Sequence, residues 1–301
     1  MNAAIRLGRL ELANPVLAAS GTWEFGLRFA DVSDRLGGVV TKGITVEPRA
    51  GNPPPRIAEF PGGILNSVGL ENPGLAAFAR SVLPAMGRLR CRVIVNVAGF
   101  RPREYAEIVG RLSPHRRVDG FELNVSCPNV ETGGAAFGAS PRAVEAITRL
   151  CRGRTKKPLF VKLTANFVDP VRTARAAEAG GADGVTVLNT LFGLVLDADG
   201  RPFLGGRTGG ISGPCLKPFA LYCVERVARA VGIPVIGCGG IMTGQDAADF
   251  LSAGARLVQV GSASLADPQA PARVARELAA WCRGRRVGGW DEVVGRTGRR
   301  D

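Results

Sequence analysis

Residues 156–188 read KKPLFVKLTANFVDPVRTARAAEAGGADGVTVL, and this stretch decides the fold. Its two apolar runs, 159–163 and 184–188, are short and nearly continuous, which is typical of parallel strands buried on both faces. Between them, the Asp-Pro pair at 169–170 predicts the start of a helix, and the Gly-Gly pair at 180–181 predicts its end. The stretch is therefore predicted to be one strand–helix–strand unit of an α/β fold.

The same kind of unit recurs along the whole chain. Further apolar runs of this type occupy residues 16–20, 38–42, 93–97, 120–124, 234–238 and 257–261. Helical patterns occur near residues 28–36, 74–86, 102–112, 141–152, 169–179, 217–231, 244–253 and 269–282. Eight strands that are each followed by a helix predict a closed (β/α)8 TIM barrel, because an open doubly wound sheet accommodates eight such units less well. A length of 301 residues suggests two domains, but no linker separates two halves, so we expect a single domain over residues 1–301.

Three segments do not fit the repeating unit. Residues 5–12 (IRLGRLEL) place a Gly-Arg turn between two short apolar pieces, which predicts a small N-terminal β-hairpin before the barrel. The connections 43–72 and 189–216 are too long for plain turns, and loops of that length in a compact domain are usually functional. Both follow the ends of predicted strands, so we expect long loops at the C-terminal face, where barrel enzymes carry their active sites.

Composition and charge exclude several classes of protein. Apolar residues make up 46% of the chain and charged residues 22%, which is ordinary for a globular protein and excludes wholesale disorder. The net charge is +13, but no run of five or six basic residues occurs, so we expect a basic surface and no nucleic-acid partner. No signal peptide and no apolar run long enough to span a membrane is present. The seven cysteines are spread singly, which indicates a cytoplasmic protein with neither a disulfide framework nor a metal cluster.

Polar side chains stand at the ends of several predicted strands. Lys42 and Lys162 end two of them, and Asn96, Asn124 and Asn189 lie at or beside the ends of three others. Lysine is almost never fully buried without a partner, so two lysines and three asparagines at one mouth are poorly explained by packing. The set suits a planar, anionic ligand that makes several hydrogen bonds.

Two further features indicate a phosphate group and a proton transfer. The last two strands end in the pairs 239–240 (Gly-Gly) and 261–262 (Gly-Ser), where barrels often bind phosphate through backbone N–H groups. Cys127 lies in a loop at a strand end, and the only histidine, His115, is predicted to be a surface residue. A thiolate that acts as a general base therefore fits better than a Cys-His nucleophile pair. The glycine-rich segment 129–140 is predicted to be a lid that excludes water.

At this point the chain resembles a known family. The segments that carry the resemblance are ASGTWEFG, TKGITVEPRAGNPPPRIAE, LNSVGLENPG, VNVAG, ELNVSCPNVETGGAAFG, VKLTAN, NTLFG, GGISGPCLKP and IGCGGI. They occur in order between residues 18 and 261, and they are similar to those of dihydroorotate dehydrogenases, flavoproteins that oxidise dihydroorotate to orotate in pyrimidine synthesis. A cysteine at position 127 resembles class 1 of that family, and the EPRAGNPPPR run resembles its NAD-linked subclass, class 1B.

The resemblance implies a set of site residues. It implies that the phosphate of one FMN per chain is held by Gly213, Gly239, Gly240, Gly261 and Ser262. It implies that the rest of the cofactor is lined by Ser20, Lys42, Gly43, Asn96, Asn124, Lys162 and Leu188. It implies that orotate is held by Lys42, Asn66, Ser67, Val68, Gly69, Leu70, Asn124, Asn189 and Thr190. In this scheme Cys127 takes the C5 proton of the substrate while C6 delivers hydride to N5 of the flavin.

The resemblance also implies partners. The sequence has no G-x-G-x-x-G after a strand and no cysteine cluster, so FAD and a [2Fe–2S] centre are expected on a second subunit that passes electrons to NAD. The expected assembly is a heterotetramer of two copies of each chain, which contains a homodimer of this one. The acceptor itself stays open between NAD and fumarate or another oxidant.

Other functions compete with this one. The +13 charge suggests a tRNA dihydrouridine synthase, but only a short tail follows the eighth helix, where such enzymes carry a helical RNA-binding domain. A barrel of the dihydropyrimidine dehydrogenase type, acting on dihydrouracil, is a closer rival, although Lys42 favours a carboxylated substrate. A non-catalytic phosphate-binding barrel is a third reading, and it predicts no functional effect of Cys127→Ser.

Overall fold

The computed structural model of the protein describes residues 4–125 and 137–298. Its centre is a closed barrel in which eight parallel strands follow one another in chain order. The barrel strands are β3 (Val16–Ala18), β4 (Gly38–Val40), β7 (Arg92–Val97), β8 (Gly120–Asn124), β9 (Leu159–Lys162), β10 (Gly184–Val187), β13 (Val235–Cys238) and β14 (Ala255–Val260). Nearly all of their residues are buried, as expected for strands enclosed by side chains inside and helices outside. The predicted (β/α)8 barrel is confirmed.

At least one helical segment lies between each strand of the barrel and the next one along the chain, and helices also follow the last strand. The α-helices are α1 (Ala30–Ser33), α2 (Gly74–Ala77), α3 (Leu83–Ala85), α4 (Pro102–Leu112), α5 (Pro141–Arg152), α6 (Pro170–Ala179), α7 (Lys217–Ala230), α8 (Gly244–Ser252), α9 (Ala263–Ala266) and α10 (Ala270–Gly284). A π-helical turn, Phe78–Val82, joins α2 to α3. The predicted caps are present, since the side chain of Ser140 accepts from Ala143 N and that of Asp169 from Val171 N.

The N-terminal hairpin consists of β1 (Ile5–Leu7) and β2 (Leu10–Leu12), paired antiparallel. It lies where the barrel strands begin, because Nε of Arg92, the first residue of β7, donates to the carbonyl oxygen of Glu11 at 2.8 Å. The alternating burial of both strands places one apolar face on the barrel. The hairpin therefore lies at the end of the barrel opposite the strand ends that carry the predicted site.

The two long connections contain strands, which the sequence analysis did not predict. Together they form a four-stranded antiparallel sheet in the order β11-β12-β6-β5. Its strands are β5 (Ile57–Phe60), β6 (Gly63–Asn66), β11 (Leu191–Gly193) and β12 (Gly209–Ser212). The central pair joins segments that are far apart in sequence, with Asn66 opposite Gly210. The strands are only three or four residues long, so the pairing had no local signal to reveal it.

Candidate active site

A cleft opens at the carboxyl ends of the barrel strands, beside the four-stranded sheet. Most of the predicted site residues line it. They are Ser20, Lys42, Gly43, Asn66, Val68, Leu70, Asn124, Lys162, Leu188, Asn189, Thr190, Gly239, Gly240, Gly261 and Ser262. Residues that the sequence analysis did not single out complete the lining, among them Ile57, Ile64, Ser212 and Leu265. The first three belong to the four-stranded sheet, which explains why the strand-end argument missed them.

The two lysines occupy different depths of the cleft. Lys162, at the end of β9, is only 5% exposed and lies opposite Asn124 in the register of β9 with β8. Lys42 is nearer to solvent, and its Nζ lies 3.7 Å from Oε1 of Glu71. A buried ammonium and a half-buried one in the same cleft provide positive charge at two points of a bound anion.

Hydrogen bonds hold the amide side chains at the cleft wall. Nδ2 of Asn189 donates to Oδ1 of Asn124 at 3.3 Å, and Oδ1 of Asn189 accepts from the backbone N–H of Thr190 at 2.8 Å. Nδ2 of Asn66 donates to the carbonyl oxygen of Gly210 at 3.2 Å, which joins β6 to β12. These hydrogen bonds fix the orientation of the amide side chains, as a site that binds a planar polar ligand requires.

Ser67 and Gly69 do not line the cleft, although they were predicted to bind substrate. Ser67 is 1% exposed, and its Oγ and carbonyl oxygen both accept from Nδ2 of Asn52. Gly69 has φ +78°, and a Cβ there would lie 2.5 Å from the backbone N of Asn52. Both residues instead fix the backbone that carries Val68 and Leu70 into the cleft.

The glycines at the ends of the last two barrel strands lie at the end of the cleft predicted to hold phosphate. Gly239 and Gly240 have φ angles of +130° and +75°, which residues other than glycine rarely adopt. A Cβ on Gly240 would lie 2.7 Å from the backbone N of Lys217 and 2.9 Å from the carbonyl oxygen of Gly213. Gly213 itself does not line the cleft, and its carbonyl oxygen lies on the side of Gly240 to which a Cβ would point.

Lys217 is a residue that the sequence analysis missed. Its Nζ donates to Asp246 and, at 2.7 Å, to Oδ2 of Asp249, so it ties the start of α7 to α8. Burial by itself would lower the pKa of Lys217, but the hydrogen bonds to both carboxylates raise it above its usual value. The pair of helices that flanks Gly240 is therefore held by a charged clamp.

A buried carboxylate lies inside the barrel below the cleft. Glu122, 1% exposed, accepts from Nδ2 of Asn96 at 2.8 Å, from Oγ1 of Thr186 at 2.7 Å and from Nε2 of Gln259 at 2.6 Å. Asn96 was predicted to bind the cofactor, but it is fully buried and belongs to this network. The side-chain oxygens of Asn96 (Oδ1) and Gln259 (Oε1) accept no hydrogen bond from the described residues. The sequence did contain a signal for this network, because Glu122 lies within the run 120–124, which is predicted to be a fully buried strand.

Some predicted features lie outside the described residues, and others are ordinary packing. Cys127 and most of the predicted lid, residues 129–136, are not described. Phe137, which follows them, packs edge-on against the ring of Tyr105. Cys238 lines the cleft, but burial raises the pKa of its thiol against the lowering effect of nearby Lys162, so it is a poor base at neutral pH.

Within 4–125 and 137–298, no three or more His, Cys, Asp or Glu side chains are grouped so that they could hold a metal ion. In the same ranges, no helix has the length and apolar character needed to cross a membrane.

Comparisons with known proteins agree with this geometry. The sequence model of the family described as dihydroorotate dehydrogenase matches residues 3–281. The chain is 46% identical over 294 residues to a protein of Pelobacter propionicus named dihydroorotate dehydrogenase B (NAD(+)), catalytic subunit, covering 97% of each chain. It is 45% identical over 301 residues to the protein of that name from Desulforudis audaxviator, covering 98% of each.

A third relative and one solved structure extend the comparison. The protein of the same name from Alkaliphilus metalliredigens is 48% identical over 273 residues, or 90% of each chain. A crystal structure of DHODH in complex with ferulenol from Eimeria tenella has a TM-score of 0.82. That likeness covers 99% of this chain and 89% of the other at 24% identity, so it supports the barrel fold alone.

Proposed function

The chain belongs to the dihydroorotate dehydrogenase family, and from this premise we propose that it oxidises dihydroorotate to orotate in pyrimidine biosynthesis. In this reaction C5 of the substrate loses a proton and C6 loses a hydride, so that a C5=C6 double bond forms and two electrons leave. The observation that carries the proposal is the convergence of Lys42, Lys162, Asn66, Asn124 and Asn189 on one cleft. These groups match a flat, anionic substrate with several hydrogen-bonding edges.

The donor set of the cleft fits FMN as the bound cofactor, which supplies the two-electron acceptor. Gly239, Gly240 and Gly261 bring main chain to the end of the cleft that would hold the phosphate. At Gly239 and Gly240 a Cβ would come closer than 3 Å to Ala220 and to the backbone N of Lys217. The buried ammonium of Lys162 would offset negative charge that develops on the ring during reduction. Lys42 would give the substrate carboxylate a counter-ion. In this proposal, residues 1–301 form one FMN-binding domain.

We assign the proton transfer to Cys127, on the resemblance of ELNVSCPN to the family's motif. Cys127→Ser removes the strongest available base from that motif, because a hydroxyl is far harder to deprotonate than a thiol. We expect turnover to fall by about 10²-fold or more while the flavin spectrum of the bound cofactor is kept. Cys215→Ser, at an exposed cysteine, is the matched control and should leave turnover unchanged. Equal turnover of Cys127→Ser and the unsubstituted protein would contradict the assignment.

The electron acceptor and the partner follow from the names of the relatives. Those proteins are named catalytic subunits of an NAD(+) enzyme, which supports a second subunit. On the resemblance of this sequence to class 1B, we propose that the second subunit carries FAD and a [2Fe–2S] centre. The assembly would be a cytoplasmic heterotetramer built on a homodimer of this chain. The purified chain alone should then accept electrons from substrate but reduce NAD⁺ poorly. Fast NAD⁺ reduction by the chain alone would contradict the need for this subunit.

One experiment tests the proposed function directly. The purified chain is expected to show a flavin absorption spectrum that bleaches when dihydroorotate is added without oxygen. Dihydrouracil, which lacks the carboxylate that Lys42 would bind, should bleach it far more slowly. A colourless protein that takes up no FMN, or a bound flavin that stays oxidised with dihydroorotate, would overturn the proposal.

A further inference from the structure

Three charged side chains form a row at the rim of the substrate side of the cleft. Nζ of Lys42 lies 3.7 Å from Oε1 of Glu71, and Oε2 of the same carboxylate accepts from Nη1 of Arg56 at 2.5 Å. The side chain of Lys42 is 23% exposed and that of Glu71 is 44% exposed. Glu71 therefore lies between two cations, and only one of them, Lys42, lines the cleft.

The row is held in place from the side of Arg56. Its Nε donates to the carbonyl oxygen of Asn52 at 2.5 Å, and its Nη2 donates to that of Ala50 at 2.9 Å. Glu71 follows Leu70, a residue of the cleft wall whose φ is +57°. A guanidinium fixed by two backbone carbonyl oxygens holds the carboxylate beside Lys42, so Glu71 is not free to swing away when a ligand arrives.

From this arrangement we infer that Glu71 is a specificity-determining residue that weakens the binding of the substrate's carboxylate to Lys42. The inference rests on the proposed function, since it takes Lys42 as the counter-ion of a carboxylated dihydropyrimidine. Two carboxylates must then share one ammonium, and the fixed one reduces the positive potential that the mobile one meets. The product keeps the carboxylate, so Glu71 weakens product binding by the same means and favours its release.

Glu71→Gln tests the inference, because it removes the charge and keeps the size of the side chain. We expect the Kd of orotate, measured from the change it causes in the absorption of bound flavin, to fall about threefold to fivefold, as for the stronger exposed ion pairs. The KM of dihydroorotate should fall with it, so that the effect is found in KM rather than in kcat. High salt should remove most of the difference, since the groups involved are partly exposed.

Two controls separate this local effect from a general change in charge. Glu59→Gln makes the same charge change on an exposed residue of β5 and should leave the Kd of orotate unchanged. Uracil, which has no carboxylate, should bind Glu71→Gln and the unsubstituted protein equally. Melting temperatures of both variants confirm that the fold is kept.

The possible outcomes are distinct. An orotate Kd that is unchanged or raised in Glu71→Gln would overturn the inference, and so would an equal fall in Glu59→Gln. If flavin-loaded protein binds no orotate in any of the three forms, the proposed function fails and the inference fails with it. Tighter orotate binding in Glu71→Gln alone, with uracil unaffected, would support it.

Discussion

Glu122→Ala removes the one carboxylate on which three buried donors converge. Asn96, Thr186 and Gln259 donate to it at 2.8, 2.7 and 2.6 Å, from three different strands of the barrel. A buried donor that loses its acceptor costs about 1–3 kcal/mol. The cavity left by the substitution is polar, so water that enters it restores part of this loss. We therefore expect the free energy of unfolding to fall by about 4 kcal/mol, which lies in the lower part of the range obtained by adding the losses of the three donors.

The matched variant Glu122→Gln separates hydrogen bonding from volume. Glutamine fills the same space, and its amide N–H can donate to Oδ1 of Asn96 if the amide of Asn96 turns over. This oxygen accepts no hydrogen bond from the described residues. Its remaining oxygen can still accept from Thr186 and Gln259. We therefore expect Glu122→Gln to lose only about 1 kcal/mol.

Thermal unfolding of the FMN-loaded proteins, followed by calorimetry, measures both losses. For a chain of this size, 1 kcal/mol corresponds to roughly 2 °C, so Glu122→Ala should melt about 8 °C lower and Glu122→Gln about 2 °C lower. Equal melting temperatures of the two variants, or a loss below about 1 kcal/mol in Glu122→Ala, would refute the reasoning that these hydrogen bonds matter for stability.

Three further predictions concern the phosphate end of the cleft and the helices around the barrel. Gly240→Ala should weaken FMN binding about tenfold or more, because Gly240 has φ +75° and a Cβ there would lie 2.7 Å from the backbone N of Lys217. The affinity is measured by fluorescence titration, and the control is Gly284→Ala, where a Cβ meets no other atom. Asp246→Asn should lower the free energy of unfolding by roughly 2 kcal/mol at pH 7, a value between the typical loss for a removed helix cap and that for a broken buried ion pair. Burial opposes the ionisation of Asp246, but hydrogen bonds, the most important from Lys217, hold the pKa of its carboxyl group below the usual 3.8. The carboxylate therefore contributes fully to the free energy of unfolding above about pH 4, and this contribution is lost as the pH falls further. Denaturant unfolding should accordingly show the gap between Asp246→Asn and the unsubstituted protein closing below pH 4, and a gap that widens there would contradict the assignment. Asp169→Ala removes the side-chain cap of α6 and also the ion pair of Asp169 with Arg226. It should lower the free energy of unfolding by at least the roughly 1 kcal/mol of a cap in the same assay, whereas no change would show both interactions to be unimportant.

The local pattern of residues was sufficient to predict the barrel. Each strand such as 159–163 is a short apolar run, and a helix such as Pro170–Ala179 carries its own start and stop signals, so these units could be recognised without their neighbours. The strand order then followed, since consecutive strand–helix units close in chain order. For the same reason the strand-end residues Lys42, Lys162, Asn124 and Asn189 could be placed at one mouth before the structure was known, and they line one cleft.

Contacts between residues distant in sequence were decided only by the tertiary structure. The pairing of Asn66 with Gly210 builds the sheet beside the cleft, and the placing of Glu71 between Lys42 and Arg56 depends on how that part of the chain folds back. The strand-end rule does not say whether a side chain such as that of Asn96 is exposed at the mouth or buried, and only the packed chain shows that Asn96 is buried. Periodicity reports which face of an element is buried, whereas hydrogen bonds and ion pairs depend on distances that only the packed chain sets.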